Sequence, residues 1–225
     1  MSATDKFSKS YISTATFVSR AYSVLEQFSD NEVRLREGKG CKELVEEIIP
    51  IAAFLKHFEI PGRQVKCKYF SGNQNYDAKI RVQGRDVSLD FIKESYFLEV
   101  TTAVSPKDFL EREALSRYGS VFGGGDIERV GSTRKRNDKI VSKPVVEDHD
   151  AVTIKASDWI RARLQAKANK VYPKPCILLV QVEPERPLSI HEWSAVAKDV
   201  QPSVDREVFA ATYLVNAWTN VVLPI

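Results

Sequence analysis

The 225-residue sequence is poor in sulfur, with three cysteines and one methionine. Cys41, Cys67 and Cys176 are isolated, odd in number and never in a C-x-x-C spacing, which argues against both a disulfide framework and a thiolate zinc site. Histidine is equally scarce: His57, His149 and His191 are scattered, and no Ser/His/Asp arrangement is legible. No apolar run reaches the roughly 18 residues of a membrane-spanning helix. The opening MSATDKFSKS is polar and unlike a signal peptide, so a cytoplasmic protein without membrane contact is expected. There is no internal repeat, and Gly123-Gly124-Gly125 is followed by no G-K-[ST], so it is not a P-loop. A strong net charge is missing as well. The formal charge of +3 is too small to argue for a nucleic-acid partner unless the basic residues are concentrated somewhere.

What is present, 43% hydrophobic and 28% charged residues, suits a soluble globular chain. The length suits one α/β domain over 1–225 with a flexible basic insertion at 119–149 and a C-terminal extension at 183–225. Ile12, Ala15, Val18, Tyr22, Leu25 and Phe28 recur near a 3.6-residue period, predicting an amphipathic helix over Ser10 to Phe28. A second helix is predicted from Cys41 to about Phe58, interrupted or kinked at Pro50. After the Pro61-Gly62 turn, Gln64 to Phe70 alternates as a strand, with Lys66 and Lys68 on one face.

The chain is organised around Asp86 to Val104. Two short apolar-rich runs, Val87 to Ile92 and Tyr96 to Val104, flank the polar pair Glu94-Ser95 and read as a hairpin. Pairing Lys93 with Tyr96 puts Asp90 opposite Glu99. A second turn at Gln83-Gly84-Arg85-Asp86 puts Lys79 opposite Asp90, making a row Lys79, Asp90, Glu99 across three strands. Two carboxylates facing each other are destabilising, so a cation is expected between them. Asp77, on the face of Lys79, is the alternative to Asp90. The other face, with Leu89, Phe91, Leu98 and Val100 among others, is assigned to the core.

Leu89-Asp90-Phe91 and Leu98-Glu99-Val100 resemble the two acidic positions of the PD-(D/E)xK nuclease superfamily, whose fold is restriction-endonuclease-like: a mixed sheet with an antiparallel meander, flanked by helices. The resemblance spans roughly Lys42 to Val182 as an order of elements. It implies a Mg²⁺ (or Mn²⁺) ion held by Asp90 and Glu99, and hydrolysis of phosphodiester bonds, with DNA the expected substrate. The family's Lys position holds Thr101. Lys79 or Lys167 is the expected replacement for its positive charge. An acid from the helix before the sheet often joins the metal shell in that family, and Glu47, then Glu43, are the candidates here. The resemblance also allows a non-catalytic module that binds nucleic acid or protein, and a homodimer joined through C-terminal strands. Without a metal, Lys79 alone would neutralise the two acids as an ion network.

Ser105 and Pro106 open a short helix. Between Gly119 and His149 no period is legible, but Arg129, Arg134, Lys135, Arg136, Lys139 and Lys143 crowd together, a pattern suited to phosphate-backbone binding or to a solvated loop. Ala151 to Val171 reads as a long helix burying Ile154, Trp159, Ile160, Leu164 and Ala168, with Arg163 and Lys167 among its cations. CILLVQV, from Cys176 to Val182, reads as a strand buried on both faces. Ser189 with Glu192 forms a capping box for a further helix, and Val208 to Val215 and Val221 to Leu223 are strand candidates that extend the sheet or form a small subdomain.

Overall fold

The computed structural model describes residues 4–121, 126–131, 138–146, 148, 150–184 and 186–225. In chain order the first half holds α1 (Asp5–Ser8), β1 (Ile12–Ser13), α2 (Thr14–Leu25), α3 (Asp30–Leu35), α4 (Cys41–Glu43), a π-turn (Leu44–Ile48), α5 (Ile49–Phe58), β2 (Arg63–Tyr69) and β3 (Ala78–Gly84). The second half holds α6 (Arg85–Ser88), β4 (Ser95–Ala103), α7 (Asp108–Tyr118), β5 (Asp126–Val130), β6 (Lys139–Lys143), α8 (Ala151–Ala168), β7 (Cys176–Val182), α9 (Ile190–Val200), β8 (Ala211–Asn216) and β9 (Val221–Pro224).

The architecture is mixed α/β. One seven-stranded sheet runs in the order β1-β2-β3-β4-β7-β8-β9. β2, β3 and β4 form an antiparallel meander. β7 lies parallel to β4 and β8 parallel to β7. Helices cover both faces of the sheet. On one side α2 and α5 bury Phe17, Phe54 and Leu55 against Ile80, Leu98 and Leu179. On the other, Ile160 and Leu164 of α8 and Trp193 and Val196 of α9 pack on Leu178, Val180 and Leu214. β7 is covered on both faces, which is why its seven residues are all buried and all but Gln181 apolar.

The meander differs from the expected one. β3 pairs directly with β4 through Ala78–Leu98, Lys79–Phe97 and Ile80–Tyr96. The run Val87 to Ile92 is no strand: it begins within the helical turn α6 and ends short of β4, with Leu89 50% and Phe91 76% exposed. Gly84 causes the break. It takes φ +128°, and a Cβ there would lie 1.9 Å from the carbonyl oxygen of Gly62. That carbonyl instead accepts the N–H of Arg85, turning the chain out of the ladder. Asp86 then pairs with Arg63 at 2.5 Å. An apolar run with turn residues on both sides resembled a strand, but tertiary contacts at Gly84 decided otherwise.

The second predicted helix is continuous through Pro50 because the turn before it widens. Proline has no N–H to offer a carbonyl four residues back. The Ile49 N–H reaches back five residues to Leu44, a π-turn of the kind often found at functional sites. That turn carries Glu46 and Glu47.

The 119–149 stretch shows no period in the sequence, yet its described residues include an antiparallel pair, β5 with β6. Ile127 and Ile140 pack there on Leu110 and Ala114 of α7. Helix α8 ends at Ala168, and Ile154 is 59% exposed rather than buried. Its buried line is Ala156, Ser157, Ile160 and Leu164, the spacing of one helical face. The Ser189–Glu192 capping box is present at the start of α9, and β8 and β9 extend the main sheet.

Candidate active site at the end of the meander

Correcting the register changes which acid faces Glu99. One step beyond the Ala78–Leu98 pair lies Asp77, whose N–H donates to the Leu98 carbonyl at 2.8 Å. Its carboxylate accepts the Val100 N–H at 2.7 Å. Asp77 and Glu99 therefore flank the same place on adjacent strands, the arrangement expected of Asp90. Asp90 itself is elsewhere. It sits at φ +56°, 83% of its side chain is exposed, and it pairs with Lys93 at 3.0 Å. Lys79 is not between two acids either: it lies opposite Phe97, with its ammonium 4.7 Å from the ring centre.

The other sequence candidates divide in the same way. Lys167 reaches from the last turn of α8 to Glu99, Nζ to Oε1 at 2.5 Å, and Glu99 is only 5% exposed. Glu47, on the π-turn, accepts a hydrogen bond from the Tyr69 hydroxyl at 2.5 Å, so the end of β2 joins the group. Thr101 and Arg163 line a cleft of about 350 Å³ beside it, together with Glu47, Lys42 and Arg36. Arg129 is not free for phosphate, since it is paired with both Glu113 and Asp138. Lys139 is exposed at the start of β6. Arg134, Lys135 and Arg136 lie outside the described residues.

The electrostatics are those of acids crowded away from water. The Asp77 carboxyl is pushed up to about 7, first by burial and then by the charges of Glu47 and Glu99; the Val100 N–H and Lys167 only partly oppose this. Burial raises Glu47 as well, the Tyr69 hydrogen bond lowers it, and Glu43, Glu46 and Glu99 add to the rise. Three carboxyls thus feel one another with one ammonium among them. A further cation would relieve the repulsion.

Among the described residues no three Asp, Glu, His or Cys side chains are arranged as a metal-holding group. The donor chemistry nevertheless fits a hard divalent ion, which takes carboxylate and carbonyl oxygens and keeps several waters, so that one or two carboxylates suffice. The nearby Cys176 thiol is pushed up to about 12 by burial, then by Glu99 and Asp77, and remains protonated. A thiolate-seeking metal therefore finds no ligand in it.

Tyr69 escaped the sequence reading and Asp77 stood only as an alternative. The sequence signal for Asp77 is its place just ahead of the alternating Ala78-Lys79-Ile80-Arg81-Val82. The signal for Tyr69 is weaker, a core-facing aromatic at the end of β2. The chain matches no protein-family model, no curated protein and no solved structure.

Proposed function

We propose that the protein is a metal-dependent nuclease with a restriction-endonuclease-like sheet, hydrolysing phosphodiester bonds of DNA at Asp77 and Glu99. One observation carries this reading: acids from two adjacent strands and from the preceding helix meet beside a lysine from the following helix. The element order supports it too, with α5, the β2-β3-β4 meander, α8, and then β7 parallel to β4. Asp77, Glu99 and the Val100 carbonyl are the groups that would hold Mg²⁺ or Mn²⁺, with Glu47 beside them. The bound ion would supply charge neutralisation at the scissile phosphate and a more acidic water.

The remaining work falls to the chain. The Val100 N–H fixes the Asp77 carboxylate, and Tyr69 fixes Glu47. Lys167 provides the positive group beside the attacking water that Thr101 lacks. Lys42 and Arg163, neither ion-paired among the described residues, stand at the cleft for the flanking phosphates.

A second reading has its own observation. The Lys167–Glu99 pair neutralises one acid without any metal, and with Thr101 in the lysine position it suits a nuclease-fold module that binds nucleic acid or protein without cutting. The test is incubation of circular and linear DNA with the protein in Mg²⁺ or Mn²⁺. Cleavage that is lost in Asp77→Asn and in Glu99→Gln, with circular dichroism unchanged, is the expected result. Equal cleavage by the variants would overturn the assignment, and inertness of the folded wild type would favour the second reading.

A further inference from the structure

The face of the sheet that carries Asp77 and Glu99 is only partly covered. α8 packs over β4 and β7, whereas on the same face of β2 and β3 Lys66 and Arg81 are exposed and Lys68 and Lys79 half-buried among the described residues. On that face the ladder sets Lys66 directly opposite Arg81, and Lys68 directly opposite Lys79. Directly opposed like charges destabilise a sheet. Among the described residues none of the four has an ion-pair partner, although carboxylates are nearly as numerous as cations in this chain.

Aromatic rings accompany the charges. Lys68 lies over Phe70 at 5.1 Å, Lys79 over Phe97 at 4.7 Å and Arg81 over Tyr11 at 4.1 Å. Phe70, Tyr76 and Phe97 meet edge to face. Tyr11, Phe70 and Tyr76 are only half-buried. Lys79 and Arg81 also line a groove of about 590 Å³, in which Glu94 is the one carboxylate among the described residues. Lys79 stands two residues from Asp77 on the same strand face. The row of cations therefore ends at the acids.

We propose that this face is a track for a single-stranded polynucleotide. Its phosphates take Lys66, Lys68, Lys79 and Arg81, its bases stack on Tyr11, Phe70 and Tyr76, and β3 leads it to Asp77 and Glu99. A positive groove with half-exposed rings is what unpaired strands require, because any base offers a face for stacking. Duplex DNA, with its bases already stacked, leaves the rings unused. Delivery to the acids rests on the nuclease reading; binding along the track does not.

The experiment is fluorescence anisotropy in EDTA, which prevents metal-dependent cleavage, using the full chain and labelled thymidine and uridine oligonucleotides of about 16 nucleotides. A duplex of the same length and phosphatidylserine vesicles serve as competitors. The variants are Lys66→Gln/Lys68→Gln/Lys79→Gln/Arg81→Gln, Phe70→Leu, and, as a control away from the track, Lys198→Gln at an exposed position of α9.

The fourfold variant is expected to lose about 100-fold or more in affinity at low salt, and its slope of log K against log salt to fall by about 3, near 0.7 per phosphate contact. Its melting temperature should stay within a few degrees of wild type, because the relieved repulsion offsets the lost cation–ring contacts. Phe70→Leu should weaken single-strand binding about tenfold and leave duplex binding alone. Lys198→Gln should bind like wild type.

An unchanged salt slope in the fourfold variant, tighter binding of duplex than of single strand, or binding of vesicles but not oligonucleotides would each overturn the inference. The two readings fail separately. Cleavage that persists with an unchanged salt slope removes the track and leaves the nuclease. Track-dependent binding by a protein that cuts nothing supports the track and removes the nuclease.

Discussion

Replacing Asp77 by Asn removes a charge that the fold disfavours while keeping an oxygen to accept the Val100 N–H. The folded carboxyl titrates near 7 against an ordinary 3.8. Between those values the native state keeps a proton that the unfolded chain has released, so wild-type stability falls as pH rises through that window and levels off above it. A displacement of about 3 units at 1.36 kcal/mol per unit sets a ceiling of about 4 kcal/mol. The part of it lying between pH 5 and pH 8 is about 2–3 kcal/mol, or about 4–12 °C in melting temperature for a chain of this size. The assay is urea denaturation of wild type and Asp77→Asn from pH 5 to pH 8 in EDTA. Taking the difference between the two proteins cancels the other titrating groups. Asp77→Asn should gain about 2–3 kcal/mol on wild type across that range. A difference independent of pH, or one that shrinks towards pH 8, would refute the crowding of Asp77 by burial, Glu47 and Glu99.

Three further outcomes follow from the same geometry. Lys167→Met strands the buried Glu99 carboxylate, so it should cost about 3–5 kcal/mol in urea denaturation, and Lys167→Met/Glu99→Gln should recover most of that loss; an equal loss in the single and the double variant would contradict the pairing. If Lys167 supplies the positive group at the attacking water, the single variant should slow DNA cleavage about 100-fold, whereas Thr101→Lys should leave it within about tenfold; a large gain from Thr101→Lys would favour the weakened-site reading. Gly84→Ala forces a Cβ into the Gly62 carbonyl at a positive φ, and a loss of at least about 2 kcal/mol is expected; an unchanged melting temperature would show that the turn tolerates a side chain.

The helices and the buried strand were legible in the sequence because periodicity reports burial directly. The 3.6-residue recurrence marked α2, the doubly buried CILLVQV marked β7, and Ser189 with Glu192 marked the start of α9. Glu47 and Lys167 were candidates through the family resemblance, which asks for an acid on the helix before the sheet and for a cation to replace the one missing at Thr101, and Glu99 through the hairpin pattern and the motif it resembles. Asp90 was chosen over Asp77 because register is invisible to a pattern. The run Val87 to Ile92 has a strand's composition, and only the approach of Gly84 to Gly62, 22 residues earlier in the chain, excludes it from the ladder. Once that run leaves the sheet, β4 pairs with β3 and Asp77 inherits the place opposite Glu99. The β5–β6 pair was missed because each strand contributes a single fully buried isoleucine. The opposed lysines of β2 and β3 were equally hidden, since cross-strand neighbours far apart in sequence are defined only by register.

The central claim, that Asp77 and Glu99 form a cation site, is tested most directly by calorimetric titration of Mn²⁺ and Mg²⁺ without nucleic acid. The proteins are wild type, Asp77→Asn/Glu99→Gln and Asp90→Asn, each checked for folding by circular dichroism. The account predicts binding to wild type and Asp90→Asn that vanishes in the double variant. Absence of binding to wild type at millimolar metal, or loss of binding in Asp90→Asn, would contradict it.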